Sequence, residues 1–447
     1  MIETESPLFL PVPELSLSSS GELTLAGHPA TALAAQFGTP LVVMLEDAIR
    51  RNCREYHKRI EVYPRTRVYY AGKALLTTAI CRVMQQERMG LDVVSAGELH
   101  TALAAGFPPG DILMHGNAKT EAELSLALDS GVGRIVIDNL DEIPLLGRLA
   151  AERGAHTRRP KVMVRVTPGV KPATHAYVQT GQVDSKFGFN LEGGAARNAV
   201  TLVLAQPSLE LTGLHCHIGS QIFDLGAFSL AARRMLEFYA EVQRLGAPLD
   251  ELNIGGGLGV AYSQEDAAPS VSEHTQHLSQ TVLELCGALN VAPPVLCDEP
   301  GRSIVSAAGV TLYRVQSTKH IPGVRNYVSV DGGMTDNPRY ALYGARHHVL
   351  LAQRALDPPD SLWSVSGKCC ESGDMLIHDT PLPLPRVGEL LALLNTGAYT
   401  YSMASNYNRL ARPAVVLVGQ GRAALIARRE TVQDLLSLDQ MPEWLGP

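Results

Sequence analysis

The stretch VYYAGKALLTTAICRVMQQERMGLDVVSAGELHTALAAGFPPGDILMH, residues 68–115, decides the fold. Three short β-forming apolar runs begin in it, VYYA at Val68, LDVVS at Leu91 and ILMH at Ile112. Each interval holds one strand, one helix and two loops. Reading outward, the rhythm continues with RIVID from Arg134, VMVRV from Val162, LTGLH from Leu211, ELNIG from Glu251 and VLCDE from Val295. The later intervals are longer and leave room for insertions. Eight strands alternating with helices is the count of a (β/α)8 TIM-like barrel, so the fold class is α/β.

The segments between the runs support helices. Leu45, Ile49, Cys53, Tyr56 and Ile60 recur at three- and four-residue steps and predict one apolar stripe over 45–60. TEAELSLALDS, 120–130, opens on a capping threonine and stops at Gly131. After about residue 310 the rhythm changes. YVSVDGG, LWSVSG, ELLALL, AVVLVG and AALIARR read as strands, mostly separated by turns. The expected organisation is a barrel over 45–305 and a C-terminal β-rich, sandwich- or barrel-like domain over 306–447. That domain would take in 1–44, whose TPLVVM (39–44) precedes the first barrel-spaced strand. The loop TPGVKPATHAYVQTGQVDSKFGF, 167–189, is long and follows a barrel strand, which makes it a candidate lid.

Composition narrows the function classes. The 447 residues are 45% hydrophobic and 19% charged, ordinary for a globular protein. A net charge of −7 gives no footprint for nucleic acid or an anionic membrane. The longest apolar run is too short to span a bilayer, and the acidic start is unlike a signal peptide. The seven cysteines are scattered and odd in number, which argues against a disulfide framework and for a reducing cytoplasm.

Catalytic groups of such barrels sit just after the strands. Those positions hold Lys73, His115-Gly116-Asn117, His215-Cys216-His217, Gly255-Gly256-Gly257 and Glu299-Pro300-Gly301-Arg302. Each has a plainer reading. A lone lysine is usually a solvated surface group, but Lys73 should point into the barrel mouth. His215 and His217 would share a strand face and could pair on a metal, yet no third ligand is spaced for it, so no metal is expected. Three glycines are usually a flexible turn, but after a strand they can present N–H groups to a phosphate. Cys369-Cys370 reads first as a buried apolar pair.

With these residues in place the chain resembles the diaminopimelate decarboxylases, of the alanine-racemase-like, fold type III pyridoxal-phosphate enzymes. The resemblance runs from TPLVVM to about Arg429. It is carried by YYAGKA (69–74), GLDVVSAGEL (90–99), HGNAK (115–119), THAYVQTGQVDSKFGF (174–189), GLHCHIGSQ (213–221), NIGGGLG (253–259), EPGR (299–302), MTDNPRYALYGA (334–345), GKCCESGD (367–374) and TGAYTYSMASNYN (396–408). Their order makes the set specific where single motifs are not. Ala118 and Tyr340 depart from many relatives at positions without a catalytic role.

The resemblance implies pyridoxal 5'-phosphate as cofactor and a homodimer with shared active sites. By motif position it makes Lys73 the Schiff-base lysine and puts Glu299 opposite the pyridine nitrogen. His217 would stack on the ring. Gly255, Gly256, Gly257, Gly301 and Tyr399 would hold the phosphate, with Ser220 and Arg302 close by. Arg302, Arg339, Tyr343, Glu371 and Tyr399 would bind substrate, and Cys370 would be the acid, reaching across the dimer. The residue types suit the chemistry. A carboxylate at the ring nitrogen favours the protonated electron sink, and a thiol is acidic enough to return a proton. Arginines match a distal carboxylate, so Arg339 with Cys370-Glu371 favours meso-diaminopimelate, giving L-lysine and CO2. The same fold also serves decarboxylases of other carboxylate-tailed amines, amino-acid racemases and cofactor-binding homologues without turnover. GKCCESGD disfavours a racemase, and the presence of Lys73 and Cys370 disfavours an inactive homologue.

Overall fold

The computed structural model describes residues 8–154, 158–171, 181–182 and 184–446. The chain forms two compact units. One comprises Arg50–Val260 and Ala267–Ile304; the other comprises the described residues up to Ile49, Ala261–Asp266 and those from Val305.

Strand β1 (Leu41–Leu45) belongs to the second unit. The barrel of the first unit is made of eight parallel strands: β2 (Thr66–Ala71), β3 (Gly90–Val93), β4 (Ile112–Met114), β5 (Arg134–Ile137), β6 (Lys161–Thr167), β7 (Glu210–His215), β8 (Glu251–Asn253) and β9 (Val295–Asp298). Each pairs with the next, and β9 pairs with β2, so the sheet closes into a barrel. Every strand starts within two residues of the run that predicted it. These runs are apolar nearly throughout because a parallel barrel strand is buried on both faces, by the barrel interior and by a helix.

Strand geometry explains how the interior is layered. Tyr69, Leu113, Val136, Met163 and Cys297 pack together as one apolar cluster inside the barrel. Side chains two residues on share the same face. Two steps beyond Leu113, Val136, Met163 and Cys297 stand His115, Asp138, Arg165 and Glu299, all buried. The apolar layer is therefore a floor under a polar layer at the C-terminal ends of the strands.

The helices follow their signals with one exception. Thr120 and Glu123 form a reciprocal capping box for Glu121–Ser130, and Gly131 ends that helix at φ 72°. The stripe over 45–60 stops early. The α-helix ends at His57 and a tighter turn, Lys58–Glu61, follows. That change of pitch turns Ile60 outward, 58% exposed, and turns Arg59 inward to pair with Asp298. A buried charge must be paired, and here the pair outweighs an apolar side chain for the interior position.

In the second unit β10 (Gly309–Ile321), β11 (Arg325–Val330), β12 (Val349–Leu351), β13 (Ser361–Ser366), β14 (Met375–Leu382), β15 (Leu390–Leu394), β16 (Ala414–Gly419) and β17 (Arg422–Ala427) join β1 in a nine-stranded sheet. Its main path runs β14-β13-β11-β10-β1-β16-β17, and β15 and β12 extend it from β10. β1, which begins within TPLVVM, is antiparallel to β10 and parallel to β16. No sequence signal marked β10, a 13-residue strand whose first five residues are buried and whose second half is mostly exposed.

Candidate active site

At the mouth of the barrel the Glu299 carboxylate sits in a cage of N–H donors. Oε1 accepts from His115 Nε2 at 2.8 Å and from Asn253 Nδ2 at 2.7 Å; Oε2 accepts from His215 Nε2 at 3.1 Å. All four residues come from strand ends. Burial alone would raise the carboxyl, but the two imidazoles outweigh it and hold Glu299 well below the ordinary carboxylate range. His215 is pushed down to about 4, chiefly by burial, so it stays neutral and donates through Nε2. One ring nitrogen each of His115 and His215 and one oxygen of Glu299 lie within 4.8 Å of one another. The carboxylate is thus the common acceptor for both rings. β7 ends at His215, and His217 lies beyond it, where Nδ1 accepts the N–H of Gly256 at 3.3 Å.

Lys73 follows β2 on the short turn Gly72–Ala74, and its side chain is exposed. Its charge is felt at two groups of the mouth. Burial first and then Lys73 push His217 well below its ordinary value; at Asp92 burial raises the carboxyl and Lys73 opposes. Asp92, at 2% exposure, stands 3.9 Å from His115 Nε2. Beside the mouth Arg165 Nη1 donates to Asp138 Oδ1 at 3.1 Å.

The glycine run lies against the loops around it. A Cβ on Gly256 would collide with the Glu299 carbonyl oxygen, and one on Gly257 with that of Gly219. Only glycine lets these backbones approach so closely. Gly301 packs on Ala71 and Ala74, and the next residue, Arg302, opens a short helix and donates from Nη2 to Ser220 Oγ at 3.0 Å. The structure therefore brings Lys73, His217, Ser220, Gly255–Gly257, Glu299, Gly301 and Arg302 to one end of the barrel.

The second unit gathers the others. Arg339 is buried at the start of the helix Arg339–Tyr343, with its guanidinium 5.2 Å from the Tyr343 ring and 5.8 Å from the Tyr399 ring. Cys370 and Glu371 lie on the loop between β13 and β14, and Cys370 is exposed. The plain reading of Cys369-Cys370 as a buried pair is corrected: Cys369 is half-buried and Cys370 open, because the loop presents its backbone inward. The other five cysteines are buried free thiols.

Sequence reasoning left Asn253, Asp92, Asp138 and Arg165 without a role. The signal that would have found Asp138 and Arg165 is the two-residue step from an apolar interior residue. Of the candidate lid 167–189, residues 172–180 and 183 lie outside the described residues. Its base is pinned by Thr167 Oγ1 donating to the Phe187 carbonyl at 2.7 Å, and Arg165 lies 4.3 Å from the Phe187 ring. No helix among the described residues is long and apolar enough to cross a membrane.

Comparison with known proteins agrees with this geometry. Residues 46–306 match the family described as pyridoxal-dependent decarboxylase, pyridoxal binding domain. The diaminopimelate decarboxylase of Bacillus subtilis (strain 168) is 45% identical over 427 residues, 94% of this chain and 95% of that protein. That of Bacillus methanolicus is 44% identical over 416 residues, 93% of this chain and 96% of the relative. Among solved structures, diaminopimelate decarboxylase from M. jannaschii superposes with a TM-score of 0.90 at 34% identity, covering 98% of this chain and 100% of that one. With a barrel mouth built on a caged glutamate and likeness over nearly its whole length, this chain belongs to the diaminopimelate decarboxylases of the pyridoxal-dependent decarboxylase family.

Proposed function

We propose that this protein decarboxylates meso-2,6-diaminopimelate to L-lysine and CO2, the closing step of lysine biosynthesis by the diaminopimelate route. The observation that carries the reaction type is the Glu299 carboxylate, buried at the barrel mouth and held ionised by three N–H donors. The relatives' shared name carries the substrate. The solved relative from M. jannaschii also exists in co-complex with L-lysine, the product of this reaction.

The residues present fit pyridoxal 5'-phosphate. A lysine, an ionised carboxylate and a glycine run closed to any Cβ share one barrel end, with Gly301, Arg302 and Ser220 beside them. Bound there, the cofactor supplies an electron sink for the pair left on the substrate carbon when CO2 departs. Lys73 would be the amine that holds the cofactor through its aldehyde. Glu299 keeps a proton on the ring nitrogen, and His115, His215 and Asn253 keep Glu299 charged and oriented. His217, neutral and fixed by Gly256, offers a flat face to the ring. The N–H groups of Gly255–Gly257 and Gly301, with Ser220, would hold the phosphate, to which the family resemblance adds Tyr399.

Arg339, buried between two tyrosines, and Arg302 bind the carboxylate of the unreacting end, and Glu371 pairs with its ammonium. The bond from the reacting carbon to its carboxyl breaks, and the electron pair stays behind. Cys370 Sγ–H gives its proton to that carbon, and solvent restores the thiol. The acid acts across a homodimer, which accords with the exposure of Cys370 in the single chain. The test is CO2 release from a panel of amino acids with product chirality: meso-diaminopimelate should turn over to L-lysine. An inert meso-diaminopimelate beside an active carboxylate-tailed amine would overturn the substrate.

A further inference from the structure

Two loops of the β-rich unit carry Arg339 and Tyr343 (332–343) and Cys370 and Glu371 (367–374). The Asp374 carboxylate joins them. Asp374 is 2% exposed; its Oδ1 accepts the N–H of Met334 at 2.6 Å and its Oδ2 the N–H of Cys369 at 2.7 Å. The loops also meet where the Lys368 N–H donates to the Gly332 carbonyl at 2.9 Å and where the Cys369 thiol hydrogen-bonds Thr335.

The space around this carboxylate is cut to it. A Cβ on Gly367 would collide with Asp374, and one on Gly333 would stand 2.5 Å from its Oδ1. Behind the first loop Asp336 Oδ1 accepts the N–H of Gly333 at 3.0 Å and the hydroxyl of Tyr313 at 3.1 Å, which ties that loop to β10. On the other side, the N–H of Cys370 donates to Asn408 Oδ1 at 2.7 Å. Burial, then the Asp374 charge, push the Cys369 thiol up to about 11, so Cys369 stays a neutral neighbour of the acid.

We propose that Asp374 is a positioning residue: by accepting one N–H from each loop, it holds the loop of the proton donor Cys370 against the loop of Arg339, and so sets where that thiol stands when it reaches across the dimer. The inference rests on the role of Cys370 given above, and the experiment separates the two. Asp374→Asn keeps one acceptor and turns an N–H donor of its own against the second N–H. In the holoenzyme it should lower kcat about tenfold or more, with cofactor absorbance and Tm little changed. Added to Cys370→Ala it should cost nothing further on the residual turnover, because it acts through that thiol.

An unchanged kcat in Asp374→Asn beside a dead Cys370→Ala would overturn this inference alone, as would an equal fold-loss in both backgrounds. Full turnover in Cys370→Ala would overturn the reading beneath it. If the variant does not fold, hydrogen exchange on the wild-type holoenzyme decides: the Met334 and Cys369 amides should exchange slowly although both lie in loops. Fast exchange at either amide would overturn the staple.

Discussion

Replacing Glu299 by Gln removes the charge from the barrel mouth while nearly preserving its shape. The geometry sets what the amide must do. Oε1 holds two donors, at 2.8 and 2.7 Å, and Oε2 one, at 3.1 Å. The amide oxygen should therefore take the Oε1 site, and the NH2 should face His215 Nε2. That nitrogen can accept if its proton moves to Nδ1, which is buried without a protein hydrogen-bond partner. The exchange trades an unmet acceptor for an unmet donor, so the cost to the fold is small, about 1–2 kcal/mol. The cost to turnover is larger. Without a negative charge the cofactor nitrogen has no partner that favours its protonated form, and the electron sink weakens when the pair is delivered. Loss of one placed electrostatic stabiliser costs roughly 3–4 kcal/mol, so kcat should fall about 10²–10³-fold. The assay is CO2 release at saturating substrate, with cofactor occupancy checked by absorbance and Tm by calorimetry. A kcat within threefold of wild type, at full occupancy, would refute the role given to Glu299.

Three further outcomes are expected. Lys73→Ala should lose the visible band of covalently held cofactor, and mixing it with Cys370→Ala should restore about a quarter of wild-type activity through hybrid dimers; no recovery after proven subunit exchange would reject a shared site. Arg339→Lys should raise KM for diaminopimelate about 10–100-fold with kcat little changed, since the ammonium loses the paired hydrogen bonds of the guanidinium; an unchanged KM would move the distal carboxylate elsewhere. His274 is pushed down to about 3, mainly by burial against Arg59, and lies 3.8 Å from Asp298. It stays neutral in the fold while the unfolded chain takes up a proton below the usual histidine value. Its share of stability is therefore complete above pH 6.5 and is lost as pH falls toward 3. Urea unfolding of His274→Gln should show a pH slope between pH 6 and 5 smaller by roughly 1 kcal/mol per unit, and an identical slope would place the acid sensitivity in other groups.

What the sequence determined by itself was whatever depends on periodicity and order. The eight barrel strands were legible because two-sided burial makes each an unbroken apolar run, and the helices between them carry their own stops, as at Thr120 and Gly131. The ring of chemistry was legible for the same reason: a barrel puts the residue after each strand at one mouth, so Lys73, His115, His215 and Glu299 could be gathered before any coordinates. Tertiary structure alone decided what each of them touches. The spacing of His215 and His217 suggested a shared face, but the strand ends between them, and the long-range approach of Glu299 takes His215 for itself. Ile60 kept the helical step yet lost its interior place to Arg59, because Asp298, far along the chain, supplied the partner a buried cation needs. Asp374 closes the GKCCESGD motif, but nothing in the sequence pointed to its partners, since they are backbone N–H groups, and those look alike at every position of a sequence.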